Sequence, residues 1–176
     1  MEKASSQHTT PNYIVLIGAS AGGLKAFKDF LAELEENDSY AYILLQHLDP
    51  SHKSMLPDLL QESSTLPVVE ITEGLTLEAG KVYVLPSNAI PKLEQGIFSM
   101  KQKQPKIGSA HLIDDFFHDA AIQYPGKVMG VVLSGTGTDG TRGLEEIKKK
   151  QGITFAQDLN SAQWPGMPEN AIEAGV

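Results

Sequence analysis

The sequence predicts a doubly wound α/β domain, a mostly parallel sheet with helices on both faces and a hairpin at one edge, and three observations carry that reading. Five apolar runs of strand length, "YIVLI", "AYILLQ", "KVYVL", "VMGVVLS" and "ITFAQ", are β-branched or aliphatic almost throughout. Runs of that kind are strands buried on both faces. They alternate with amphipathic segments at residues 23–36, 53–63, 111–123 and 140–150, and strands separated by helices pair in parallel. The third observation is the tight passage "GASAG", which joins the first strand to the first helix with no linker.

Taken in order, residues 1–11 are polar and carry Pro11, and read as a disordered leader. The ordered domain is expected over residues 12–176. "IPKLEQGIFSM" carries a short turn at Gln95-Gly96 and reads as the hairpin. The basic run Lys148 to Lys150 ends the fourth helix, where cations complement the macrodipole. "MPENAIEAGV" reads as a short final helix with Gly175 as its cap.

Composition narrows the function. With 41% hydrophobic and 20% charged residues the chain has the makings of an ordinary globular core. The lack of cysteine excludes disulfides, a thiol nucleophile and cysteine metal sites. A net charge of −8 argues against nucleic acid, whose phosphates require clustered Lys and Arg. No apolar run approaches the roughly 18 residues of a membrane span, and "MEKASSQHTT" lacks a signal-peptide core. A cytoplasmic protein without membrane insertion is therefore expected.

In a parallel sheet, ligands gather beyond the carboxyl ends of the strands. The loops there carry Ser20, His47 and Asp139. The first strand-turn-helix has two chemical readings, a phosphate cradle and a nucleophile elbow. "GASAGG" lacks the glycine spacing of a dinucleotide fingerprint, the second strand ends in Gln46-His47 rather than an acid, and Asp38 precedes that strand. No Lys-Ser or Lys-Thr follows the glycines, which excludes a P-loop. "GASAG" does satisfy G-x-S-x-G in the context an elbow demands. His47 alone among five histidines directly ends a strand, and is read equally as a base for Ser20 or a solvated loop histidine. Asp139, in "LSGTGTDGTRGLEEI", is an ordinary N-cap if taken alone. Yet Gly135, Gly137 and Gly140 exceed what a cap requires, and suggest a backbone folded closely around something. The order Ser20, His47, Asp139 differs from the Ser, acid, His order of α/β-hydrolases.

Six separated blocks, "IGASAGG", "QHLDPSHKSML", "EGLTLEAGKVYVLPSN", "IDDFFHDAA", "VVLSGTGTDGTRGLEEIKKKQGITFAQD" and "SAQWPGMPENAI", resemble in the same order the catalytic domain of the chemotaxis protein-glutamate methylesterase family, the CheB type. They cover nearly everything from Tyr13 to Val176. The resemblance implies a Ser-His-Asp triad on a doubly wound sheet, with Ser20 as nucleophile, His47 as base and Asp139 as orienting acid. It also implies an oxyanion hole from the backbone N–H groups of Ala21 and Thr136, and neither cofactor nor metal. The implied substrate is the glutamate γ-methyl ester on cytoplasmic helices of methylated chemoreceptors, with glutamine deamidation as a related activity. "LSGTGTDG" is closest to versions fused to a receptor methyltransferase, so a fused or partner methyltransferase domain is implied too. Three departures stand out. The 11 leader residues replace the receiver domain of the best-known members, so phosphorylation control within the chain is not expected. Family members continue past the glycine matching Gly175 with a further strand and helix, so truncation at the C-terminal end is expected. Thr136 replaces a methionine often found there.

Other constellations have plainer readings. His111, Asp114, Asp115 and His118 share helix spacings that suggest a metal face, but two histidines two turns apart, ~10 Å along the axis, do not readily share one ion. A helix start and solvated face is the preferred reading. Trp164 and Met167 line a substrate cleft or simply pack a closing loop. Two rival functions remain beside the esterase: a nucleotide-binding module, and a catalytically degenerate receptor-binding scaffold.

Overall fold

The structure is a computed structural model that describes residues 9–46, 55–87, 89–102 and 111–176. Six parallel strands form one sheet: β1 (Tyr13–Ala19), β2 (Tyr40–Gln46), β3 (Val68–Glu70), β4 (Val82–Val84), β7 (Val128–Val132) and β8 (Ile153–Ala156). Their spatial order is β3-β4-β2-β1-β7-β8. Chain order reverses between β1 and β7, so the loops leaving these two strands diverge and open a crevice, as at the switch point of any doubly wound sheet.

Alternate side chains of each strand serve opposite faces. Val15, Ile17, Tyr42 and Leu44 meet α1 (Gly23–Ala32) and α2 (Leu56–Gln61) through Phe27, Leu31, Leu56 and Leu60. On the other face Ile14, Leu16, Ile43 and Leu45 meet α3 (Leu112–Gln123), α4 (Thr141–Lys149) and α5 (Gly166–Glu173). The fold class expected from the apolar runs is the one observed. At the end of the sheet, β8 is left open on one side: Ile153 and Phe155 are about half exposed, while Ala156 packs against the core on the other.

The hairpin is present as β5 (Ala89–Glu94) and β6 (Ile97–Gln102), but it forms its own antiparallel sheet rather than a hydrogen-bonded extension of the main one. Its turn is at Gln95-Gly96, where φ is 51° and 79°, the two positive angles a two-residue hairpin turn takes. The Gly96 N–H donates to Tyr124 Oη at 2.8 Å, tying the turn to the end of α3. Strand β3 is missing from the sequence reading; its three half-buried residues show no periodicity. The first helix stops at Ala32, four residues short of the expected end. The final helix closes as expected: Gly175 is left-handed at φ 74°, and the N–H groups of Gly175 and Val176 donate to the carbonyls of Ile172 and Ala171, the paired bonds of a Schellman cap.

Candidate active site

The Ser20 turn is fixed by its backbone. The Ser20 N–H donates to the Ser134 carbonyl at 3.0 Å, which sews the turn to the end of β7. Gly22 occupies the N-cap of α1 at φ 73° with no side-chain cap, a conformation that costs a residue with a Cβ. The Ser20 hydroxyl, half-buried, makes no hydrogen bond among the described residues. A polar side chain held at a strand-to-helix turn without a structural partner is what an elbow requires.

The loop after β7 closes against this turn. Ser134 is buried; its hydroxyl donates to the Ala21 carbonyl at 2.9 Å and accepts the Trp164 N–H at 3.0 Å. The Gly135 N–H donates to the Trp164 carbonyl, and the Met167 N–H donates to that of Gly135. A Cβ on Gly135 would lie 2.0 Å from Met167 Sδ and 3.1 Å from Ser20 Cβ. Glycine alone lets this backbone lie between the serine and the packed methionine, which is the close approach the glycine-rich sequence suggested. Among the described residues the N–H groups of Ala21 and Thr136 have no hydrogen-bond partner.

Asp139 is buried and does cap a helix, but not its own. The N-cap of α4 is Gly140, left-handed at φ 96°. Asp139 reaches instead to the start of α3, where Oδ2 accepts the Ile113 N–H at 3.1 Å and Oδ1 the Asp114 N–H at 2.9 Å. Asp114 returns the contact: its Oδ1 accepts the N–H groups of Gly140 and Gly143, each at 2.9 Å, at the start of α4. Two helix N-termini thus exchange carboxylates, each satisfying orphan donors of the other. Burial holds the Asp114 carboxyl above its ordinary range, reinforced by the charge of Asp139, while the Gly143 and Gly140 N–H groups and Arg142 act against it.

The acidic residues on α3 gather differently from the helix-face pattern. His111, Asp114 and Asp139 bring one ligand atom each within 4.8 Å of one another. His118 is exposed and stands outside that group. Both oxygens of Asp139 and one of Asp114 already accept backbone N–H groups, leaving Asp114 Oδ2 facing His111 Nδ1 at 3.6 Å. The cluster is built as a pair of caps.

The structure therefore brings Ser20 and Ala21 against Ser134 to Thr136, and buries Asp139 in the same loop. His47 lies outside the described residues; β2 ends at Gln46, in register with Ala19. Met167 is fully buried and packs beneath Gly135, while the half-exposed Trp164 indole stands beside Gly22. Ser134 and Gln46 escaped the sequence reading, although each is a polar residue ending an apolar strand. Among the described residues no helix is long and apolar enough to cross a membrane.

A family model described as CheB methylesterase matches residues 15–176. The chain is 34% identical over 169 residues to a protein-glutamate methylesterase/protein-glutamine glutaminase of Mesorhizobium japonicum, covering 95% of this chain and 50% of that protein. A protein of the same name from Pyrococcus horikoshii is 34% identical over 92% of this chain and 45% of its own length. The chain thus spans about half the length of these curated relatives. A shorter relative from Leptospira interrogans is 32% identical, with 91% of this chain and 83% of that protein covered. Among solved structures, the Thermotoga maritima CheB methylesterase catalytic domain superposes with a TM-score of 0.82 at 30% identity, over 94% of this chain and 90% of that one.

Proposed function

This chain belongs to the CheB methylesterase family, and from that premise we propose that it is a protein-glutamate methylesterase, a serine hydrolase acting on glutamate γ-methyl esters of chemoreceptors. The observation that carries the reading is Ser20 itself: a hydroxyl without a hydrogen bond among the described residues, on a glycine-ended turn, against the backbone of residues 134–136.

In this mechanism Ser20 Oγ attacks the ester carbonyl as His47 takes its proton. The carbonyl oxygen becomes an oxyanion between the N–H groups of Ala21 and Thr136, donors that need no reorganisation when the charge develops. His47 then gives its proton to the departing methoxide, and methanol leaves. A water molecule deprotonated by the same histidine attacks the acyl-serine, and collapse of the second tetrahedral intermediate returns Ser20 and a free glutamate carboxylate. Asp139 orients the histidine. Its two backbone bonds to α3 hold the carboxylate in one rotamer, as a group that must fix a tautomer requires. The same steps with ammonia as the leaving group deamidate glutamine, the second activity in the names of the Mesorhizobium and Pyrococcus relatives.

The test is methanol release from a methylated chemoreceptor cytoplasmic fragment. The parent chain is expected to release methanol and Ser20→Ala to lose nearly all of that turnover. Comparable turnover by the variant would reject the assignment. A receptor-binding scaffold without catalysis would bind the fragment and release no methanol, and equilibrium dialysis with nucleotides separates the nucleotide-binding alternative.

A further inference from the structure

Two hydrogen bonds converge on the Ser20 carbonyl oxygen. One comes from the Gly23 N–H at 2.9 Å, a local bond of the turn. The other comes from Gln46 Nε2 at 3.2 Å, a side chain reaching across from the end of β2. The structure has a seat for this amide: a Cβ on Gly23 would lie 2.9 Å from Gln46 Nε2 and 3.2 Å from its Cδ, so glycine at position 23 leaves the amide its place. The next peptide has its own clamp: the Ser134 hydroxyl donates to the Ala21 carbonyl at 2.9 Å.

Among the described residues none of the peptide bonds is cis. In a trans unit the carbonyl and the N–H point in opposite directions, so whatever holds the Ser20 oxygen also sets the direction of the Ala21 N–H. The Ala21–Gly22 peptide beside the left-handed glycine is held separately by the Ser134 hydroxyl; rotation of the Ser20–Ala21 peptide itself would swing the Ala21 N–H away and turn the Ser20 carbonyl oxygen toward the developing negative charge. A donor on the Ser20 oxygen disfavours that state. We propose that Gln46 is a positioning residue of the oxyanion hole: its amide clamps the Ser20 carbonyl and thereby aims the Ala21 N–H at the tetrahedral oxyanion. Gln46 touches no reacting atom in this assignment, which rests on the reading of Ser20 as nucleophile.

Removing a residue that aims a donor costs less than the ~10²–10³ in kcat lost with a donor itself. Gln46→Met keeps the length of the side chain and loses the N–H. It is expected to lower kcat for methanol release about tenfold with KM within about twofold. The affinity for a methylboronic acid, whose adduct with Ser20 is tetrahedral and anionic, is expected to fall by the same factor. Gln46→Glu, which is isosteric and ionised, is expected to show the same loss and keeps the test open should the methionine variant misfold. Gly23→Ala, which takes the seat of the amide, is expected to add little once Gln46→Met is present, because both act on one hydrogen bond.

Folded Gln46 variants with parental kcat and parental boronate affinity would overturn the proposal. So would a loss confined to KM, which marks a substrate contact. Ser20→Ala is assayed alongside: turnover by that variant would reject the esterase reading, whereas an inactive Ser20→Ala beside a fully active Gln46→Met rejects only the role of Gln46.

Discussion

The two turns that flank the sheet's switch point are built alike and used differently. β1 enters α1 through Gly22 at φ 73°, and β7 enters α4 through Gly140 at φ 96°; neither helix has a side-chain cap of its own. Asp139 immediately precedes its glycine, and Ser20 stands two residues before its own. The left-handed glycine turns the chain into the helix without a side-chain cap, and so frees the side chain. Ser20 is left with its hydroxyl unpartnered among the described residues, whereas Asp139 is turned inward and spends both oxygens on the start of α3. One turn displays its side chain and the other immobilises it. The proposed nucleophile and the proposed orienting acid would need those opposite treatments.

Removing the displayed side chain is expected to have the largest effect. Ser20→Ala should cost on the order of 10⁶ in kcat, as loss of a serine nucleophile does elsewhere, with thermal unfolding unchanged, because no hydrogen bond to a described residue is lost. Ser134→Ala, the buried serine across the turn, should instead lower the unfolding temperature, since it removes both the bond to the Ala21 carbonyl and the acceptor of the Trp164 N–H, about 1–3 kcal/mol in all.

Asp139→Asn follows, with an expected loss of roughly 10²–10⁴ in kcat/KM if it orients the base, less than or equal to the serine-protease precedent. The exchange of caps adds a second consequence. Both oxygens accept N–H groups, so the asparagine NH₂ must face one of those donors, and stability should fall by about 1–3 kcal/mol. Chemical denaturation and steady-state kinetics on one preparation read both losses. A variant that loses stability and keeps its activity would make Asp139 a cap alone.

The glycines come next. Gly140→Ala and Gly22→Ala should each cost about 1–3 kcal/mol from the positive φ. Gly140→Ala should cost the more, since its Cβ would also lie 2.8 Å from Val132 Cγ2 and 3.1 Å from Ile113 Cγ2 in the core, against Ser134 Oγ for Gly22. Denaturation midpoints of the pair decide the ranking.

The smallest effect belongs to Asp114. Its carboxyl is held above the ordinary 3.8 chiefly by burial. An acid raised in the folded state contributes its full stability below the unfolded value and loses it as pH rises through the folded one. Asp114→Asn keeps an oxygen for the Gly140 and Gly143 N–H groups and removes the charge. Its unfolding temperature relative to the parent should therefore rise modestly as pH goes from below 3.8 to neutrality. A relative fall over that window would contradict burial as the dominant cause.

The sequence made the sheet legible because burial on both faces leaves strands as unbroken apolar runs, and β1, β2, β4 and β7 each carry one. Strand β3 is three half-buried residues with nothing to set it apart locally. The turn of the hairpin was readable at Gln95-Gly96, but whether its strands join the main sheet depends on residues 74–77, which pair with β6 instead. At the site, Ser20 and the glycines of the 135–140 loop carried their own signals, a strand-to-helix pentapeptide and an excess of glycine. Asp139 did not reveal which helix it caps, since α3 approaches from 25 residues or more away in the chain. Gln46 was hidden for the same reason: its partner is the carbonyl of a residue 26 positions earlier, and no local pattern records it.

The most direct test of the account is to follow methanol release while Ser20 is modified. A fluorophosphonate, added in small increments to the parent chain, should label one serine, and mass spectrometry of the digest should find the label on Ser20, with activity on methylated receptor falling in proportion to the fraction labelled. Methanol release that persists undiminished when Ser20 is fully phosphonylated would contradict the account, and the displayed serine would then have no part in the chemistry.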